Sequence, residues 1–355
     1  MESLLSSFRL VGAPLSCEPY GHGHINRTFL VVTDAPRRYI LQQINTRVFS
    51  DPARLMENIS AVTAYLSART KDPRGCLRLV PTTEGGSWLR APDGGCWRVY
   101  DFVEDSVCLQ QPETEEDFYQ SAVAFGGFQH TLADFPAGTL HETIPNFHNT
   151  PDRYRLFRAA LASDRCGRAA SVEKEIAFVL MREEQAGALQ RMRESGELPL
   201  RVTHNDTKLN NVLLDAATHR PLCVIDLDTV MPGLAAYDFG DSIRFGAATA
   251  AEDERDLSRV SMSLTRFAAF TRGFLCACPG LTPRERETLP LGAYTMTLEC
   301  GMRFLTDYLD GDRYFAVARE GHNLDRARTQ LALVADMERK REAMAAAVRA
   351  CEAGE

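Results

Sequence analysis

His204-Asn205-Asp206-Thr207-Lys208-Leu209-Asn210-Asn211, followed fifteen residues later by Asp226, is the stretch on which the fold and the chemistry of this chain turn. An acid stands two residues after a histidine, an amide side chain comes five residues later, and a second acid closes an apolar run. Phosphoryl transfer from ATP uses this set. One carboxylate, here Asp206, orients and deprotonates the accepting hydroxyl, while an amide oxygen and another carboxylate hold magnesium on the phosphates.

The flanking residues give the spacing its meaning. Val212 to Asp215 reads as a short strand, Ala216 to Pro221 as a turn, and Leu222 to Ile225 as a second strand ending at Asp226. A hairpin of that size returns Asp226 to the neighbourhood of Asn211, so both are expected to bind one Mg²⁺ through hard oxygen donors. Asp228 points to the same side if the strand continues, as a further ligand or a substrate contact. Asp238-Phe239-Gly240 spells the metal triplet of protein kinases but lies twenty-seven residues after Asn211, behind a loop-like Gly233–Tyr237. Asp238 is therefore expected to open a helix as its N-cap and to brace the catalytic loop through backbone N–H groups. His204 is expected to hold that loop in shape.

At 355 residues the chain is long enough for a sizeable core and two domains. No apolar run approaches the roughly 18 residues that span a bilayer, and the start lacks a basic, cleavable leader. Ten cysteines without a C-x-x-C spacing are expected to be reduced thiols of a cytoplasmic protein. A net charge of −8 argues against a nucleic-acid partner. Nothing in the sequence bears on oligomeric state.

Strand patterns fill the first part: Leu15–Cys17, Thr28–Val32, Tyr39–Gln43, Cys76–Val80, Ser87–Leu89 and Cys96–Val103, with one helix from Pro52 to Ala68. Helices are expected afterwards: Glu115–Leu132, Arg153–Leu161, Val172–Glu194, Leu257–Phe274, Thr288–Asp310 and Leu324–Cys351. The division falls at residues 1–104 and 105–355. Gly21-His22-Gly23-His24-Ile25-Asn26 sits between the first two strands, where Gly21 and Gly23 let backbone N–H groups approach phosphate oxygens. An ordinary hairpin turn has the same spacing. The third strand carries Gln42 where kinases place a phosphate-gripping lysine, which leaves a helix acid such as Glu57 without an ion-pair partner. A glutamine donates hydrogen bonds but brings no charge, so Lys208 is expected to supply the cation for the γ-phosphate.

The residues Val202–Asp215 and Val224–Asp241 resemble the aminoglycoside phosphotransferase and choline kinase superfamily, and within it the N-acetylhexosamine 1-kinases. The likeness extends to Gly21–Val31, Tyr39–Asn45 and Thr297–Leu309. The resemblance implies an α+β, protein-kinase-like two-lobe fold with a small β-rich N-lobe and a larger helical C-lobe. It implies ATP and Mg²⁺ as cofactors, adenine against the edge Asp101 to Val103, and a sugar as the small-molecule partner, with no membrane. His24, Arg303 and Tyr314 are implied as substrate contacts; on residue pattern alone Arg303 pairs equally well with Glu299 one turn earlier. The implied reaction phosphorylates the anomeric hydroxyl of N-acetylglucosamine or N-acetylgalactosamine. A choline, aminoglycoside or homoserine acceptor is the alternative, with Glu252-Asp253-Glu254 as the acids for a cation, and a nucleotide-binding pseudokinase scaffold is a further one.

Overall fold

In the N-terminal region, apolar residues at alternate positions commit one face of each strand to a core. The computed structural model describes residues 2–21 and 25–352, which divide into two compact units. The first holds residues 1–108 together with 134–145 and 211–232, so the division is not a single cut in the chain. After a short helix α1 (Glu2–Leu5) come strands β1 (Pro14–Pro19), β2 (Arg27–Thr33) and β3 (Arg38–Ile44), helix α2 (Pro52–Ser67), then β4 (Leu89–Arg90) and β5 (Cys96–Asp101). They form an antiparallel sheet in the order β1-β2-β3-β5-β4. Val31, Tyr39, Leu41, Trp97 and Val99 pack on one core with Leu5 and Phe8. Helix α2 starts at an Asp51 cap that accepts from the Arg54 N–H, and it buries Leu55, Ile59, Val62 and Leu66 as the period predicts.

Two expected strands shrink. Cys76–Val80 makes only a single bridge, Leu79 to Tyr100, because Gly75 and Pro81 bracket it and leave no room for a ladder. Of Ser87–Leu89 only Leu89 joins a strand. β5 stops at Asp101, since Asp105 is left-handed at φ 52° and Ser106 Oγ donates to the Val103 carbonyl to close a turn.

The hairpin forms as expected, from Val212–Asp215 and Pro221–Val224. Its turn is held by Asp215 Oδ1, which accepts from Ala217 N–H, Thr218 N–H and Thr218 Oγ. The strand does not run on past Asp226. That residue is left-handed (φ 59°) and a 3₁₀ turn, Leu227–Thr229, follows, so Asp228 is placed by the turn and not by strand alternation.

The second unit is helical: α3 (Glu115–Thr131), α4 (Thr150–Ser163), α5 (Glu173–Leu180), α6 (Glu183–Ala186), α7 (Ala188–Glu194), α8 (Ala235–Gly246), α9 (Leu264–Ala277), α10 (Pro283–Asp310), α11 (His322–Arg339) and α12 (Arg341–Glu352). The single helix expected over Val172–Glu194 is three, and the one expected over Leu324–Cys351 breaks at Lys340. There the Lys340 ammonium turns in to bond Asp336, Ser261 and the Met262 carbonyl. The helix expected from Leu257 begins at Leu264, after a Ser263 cap. α10 begins earlier than expected, at a Thr282–Glu285 capping box, and runs through Pro290. Phe239, Phe267, Phe270 and Phe274 interlock with no exposure, each contributing about 2 kcal/mol by burial. α8 crosses α10 at Gly240 and Gly292, where an added Cβ would lie 2.3 and 2.2 Å from a backbone oxygen. Among the described residues no helix is long and apolar enough to cross a membrane.

Candidate active site

The loop around Asp206 is built inside the helical unit, and α8 is its frame. Asp238 lies in the first turn of α8, whose N-cap is Leu234; it is not the cap itself. The Asp238 carboxylate is fully buried and accepts from the His204 N–H (2.9 Å), the Asn205 N–H (2.8 Å) and Gln129 Nε2 (2.7 Å). Those donors hold Asn205 left-handed at φ 64°. One turn on, Asp241 accepts from the Thr207 N–H (3.0 Å) and from Arg244 Nε (3.0 Å), and Ser242 Oγ donates to the Thr207 carbonyl (2.7 Å). His204 is buried against Phe125 and Phe128, and its Nδ1 accepts from the Asp206 N–H at 3.3 Å.

So clamped, the loop presents Asp206 and Lys208, whose side chains are 2.8 Å apart and 27% and 34% exposed. Burial would raise the Asp206 pKa, but the adjoining Lys208 ammonium outweighs it and holds the carboxyl below its ordinary range. The same pairing raises Lys208. Asp206 is thus an ionised carboxylate at neutral pH with a cation beside it.

Asn211 and Asp226 belong to the sheet-bearing unit, at the open end of the hairpin. The Ile225 N–H donates to the Asn211 carbonyl at 2.9 Å, and Val212 pairs with Val224, which brings the two residues to one end of the ladder. One amide oxygen and one carboxylate fit magnesium, which keeps several waters and takes few protein ligands. The two Asp228 carboxylate oxygens are engaged: Oδ1 lies 2.5 Å from Arg98 Nη1, and Oδ2 accepts from Asn26 Nδ2 at 2.6 Å.

In the same unit, Gln42 is bound within the sheet. Its Nε2 donates to Thr28 Oγ and its Oε1 accepts two bonds from Arg98. Glu57 is not left without a partner as expected; His141 Nε2 lies 2.7 Å from it at the surface. Gly21 is left-handed (φ 76°) with open space where a Cβ would be; Gly23 and His24 lie outside the described residues. At the edge Asp101–Val103, the Asp101 N–H donates to the Arg78 carbonyl and the Phe102 N–H to the Arg38 carbonyl.

Arg303 does not pair with Glu299. Glu299 is buried, and its carboxylate takes His148 Nδ1 (2.8 Å) and Thr150 Oγ (2.7 Å), while His148 Nε2 reaches the Asn205 carbonyl (3.3 Å). The Arg303 guanidinium stands 5.4, 5.8 and 5.5 Å from the rings of Phe147, Tyr314 and Phe315. It lines a cavity of about 300 Å³ with Arg153, Arg165, Asp310 and Tyr314. Asp307 fixes this wall by accepting from the N–H groups of Arg313, Tyr314 and Phe315. The acids Glu252, Asp253 and Glu254 are each paired with an arginine, Arg244, Arg319 and Arg259. Sequence reasoning missed Arg98, His148, Arg153 and Asp307. Arg98 alone had a signal, as a cation in the apolar run Cys96–Tyr100.

Residues 16–267 match the model of the phosphotransferase enzyme family, and the chain belongs to that family. It is a phosphotransferase. Its fold is similar to a microcompartment-associated aminopropanol kinase, at 18% identity and a TM-score of 0.67 over 97% of each chain. It is similar as well to an aminoglycoside phosphotransferase from Alicyclobacillus acidocaldarius, at 15% identity and a TM-score of 0.60 over 98% of this chain and 95% of that one. A third relative in fold is an amicoumacin kinase in complex with AMP-PNP and Ca²⁺, at 14% identity and a TM-score of 0.60 over 92% and 90%.

Proposed function

We propose that this protein transfers the γ-phosphoryl group of ATP to the hydroxyl of an uncharged sugar, the anomeric hydroxyl of an N-acetylhexosamine. The observation that carries the reading is the Asp206–Lys208 pair at 2.8 Å on a loop whose backbone is clamped by Asp238 and Asp241. Asp206 takes the proton of the acceptor hydroxyl as its oxygen bonds to the γ-phosphorus. The bond from that phosphorus to the bridging oxygen breaks, and ADP leaves with the electron pair. Lys208 and the backbone about Gly21 and Gly23 neutralise and position the γ-phosphate. Asn211 and Asp226 would hold Mg²⁺, which neutralises charge on the phosphates when bound. An anomeric hydroxyl is more acidic than an ordinary alcohol, so modest base assistance suffices, typically about 10²–10⁴-fold.

Charge favours an uncharged acceptor. Arg153, Arg165 and Arg303 line the cavity with Asp307 and Asp310, and the acids Glu252, Asp253 and Glu254 are each paired with an arginine. With Asp307 already bound to three backbone N–H groups, three arginines stand against Asp310, so a choline or an aminoglycoside would meet an excess of like charge there. A neutral sugar bearing an N-acyl carbonyl would find planar donors and aromatic walls. His24, Arg303 and Tyr314 are its proposed contacts, and the Asp101–Val103 edge that of adenine. None of the ten cysteines is in a disulfide, which fits a reducing cytoplasm.

The test is a ³¹P spectrum of the product formed from ATP and Mg²⁺ with N-acetylglucosamine, N-acetylgalactosamine, choline and kanamycin in turn. A sugar 1-phosphate from either hexosamine is the expected result. Transfer to choline or kanamycin alone would replace the acceptor class, and transfer to nothing would favour a pseudokinase.

A further inference from the structure

A chain of buried and half-buried polar groups runs through the sheet-bearing unit without entering the mechanism above. Arg98 stands opposite Gln42 in the β3–β5 ladder and is 1% exposed. Its Nε and Nη2 donate to Gln42 Oε1 at 3.0 and 2.8 Å, and its Nη1 lies 2.5 Å from Asp228 Oδ1. The Tyr100 ring lies 5.2 Å from the guanidinium. Asp228 in turn holds the segment just beyond the hairpin: its Oδ2 takes Asn26 Nδ2, and its carbonyl takes Thr143 Oγ at 2.9 Å. Asn58 Nδ2 adds a bond to the Val230 carbonyl at 3.0 Å.

A buried ion pair is a poor source of stability, because desolvation offsets the attraction. Its value here is geometric. Asp226 sits in a left-handed conformation, two residues before Asp228, and an L-residue stays there only where its surroundings insist. The Arg98 contact holds the middle residue of the 3₁₀ turn that starts directly after Asp226. The third-strand Gln42 orients the Arg98 guanidinium toward Asp228.

We propose that Arg98 is the positioning residue of the divalent-metal site, holding Asp226 in its binding orientation through the Arg98–Asp228 ion pair. The inference rests on the assignment of Asp226 to the metal. Residues that orient metal ligands typically govern about 10- to 100-fold in metal affinity.

The experiment is calorimetric titration of the full chain with ADP, once with Mg²⁺ and once with EDTA, beside a thermal unfolding scan. Arg98→Met/Asp228→Asn removes both charges together and leaves no ion buried alone. It is expected to unfold near the wild-type temperature, to bind ADP normally in EDTA, and to lose about 10- to 100-fold of the tightening by Mg²⁺. Arg98→Lys keeps the charge but loses the fork, and is expected to fall between; it decides the matter if the double variant does not fold. A merely structural role would shift the unfolding temperature and leave the Mg²⁺ effect intact. Asp226→Asn is run in parallel. Loss there with none in the Arg98 variants overturns the inference alone, and loss in neither overturns the metal assignment and the inference together.

Discussion

The two ends of the catalytic sequence are held by different means. In the helical unit, the loop around Asp206 is fixed by neutral N–H groups that converge on the buried carboxylates of Asp238 and Asp241. In the sheet-bearing unit, the segment around Asp226 is fixed by side chains, with Arg98 and Asn26 meeting on Asp228. The first arrangement acts chiefly through the backbone and depends most on the acids that receive its N–H groups. The second depends on a matched pair, so a compensating change can repair it. Backbone clamping suits a base that must stay still, while a side-chain pair can hold a turn whose backbone is already strained.

The comparison breaks most visibly at Asp238. Asp238→Ala leaves three buried donors without an acceptor at about 1–3 kcal/mol each, so urea unfolding should show a loss of about 3 kcal/mol or more. A loss under about 1 kcal/mol would mean that the loop does not hang on this acid. Lys208→Met is the next test. Removing the ammonium leaves burial as the dominant influence on Asp206, which raises its pKa. In the native enzyme the acid limb of kcat/KM due to Asp206 should lie below the ordinary carboxylate value of about 3.9; in the variant it should move up in pH, with a raised ATP KM. An unmoved limb and an unchanged ATP KM would remove Lys208 from the site. Asp206 also contributes stability that is present above its unfolded pKa and lost as pH falls through its depressed folded value. Arg303→Ala is the smallest effect: the acceptor KM should rise about tenfold, the value of a charged hydrogen bond, with ATP KM unaltered. A change confined to ATP would exclude it from the acceptor pocket.

What could be read in advance was local. The hairpin from Val212 to Val224 and the stripe of α2 announce themselves through periods of two and of 3.6, and both formed. Longer helical patterns misled where a tertiary bond ended them. Lys340 turns inward to Asp336, and the helix run after Val172 breaks around Met181 and Gly187, although apolar spacing continues across each break. The Arg98–Asp228 pair joins residues remote in the chain, and no periodicity records such a contact. Glu57 illustrates the opposite error: the missing third-strand lysine suggested an orphan acid, but the acid points outward to His141. The loss of that lysine was legible in Gln42. The role of Arg98 beside it was not, because a cation on a central strand looks like an interruption until its partner is seen.

Asp206→Asn tests the central claim most directly, in rapid-quench single-turnover transfer from labelled ATP with ATP affinity measured in parallel. The account predicts ATP binding within about twofold of the native protein and transfer slowed by about 10²–10⁴-fold. Near-normal transfer in this variant would contradict it.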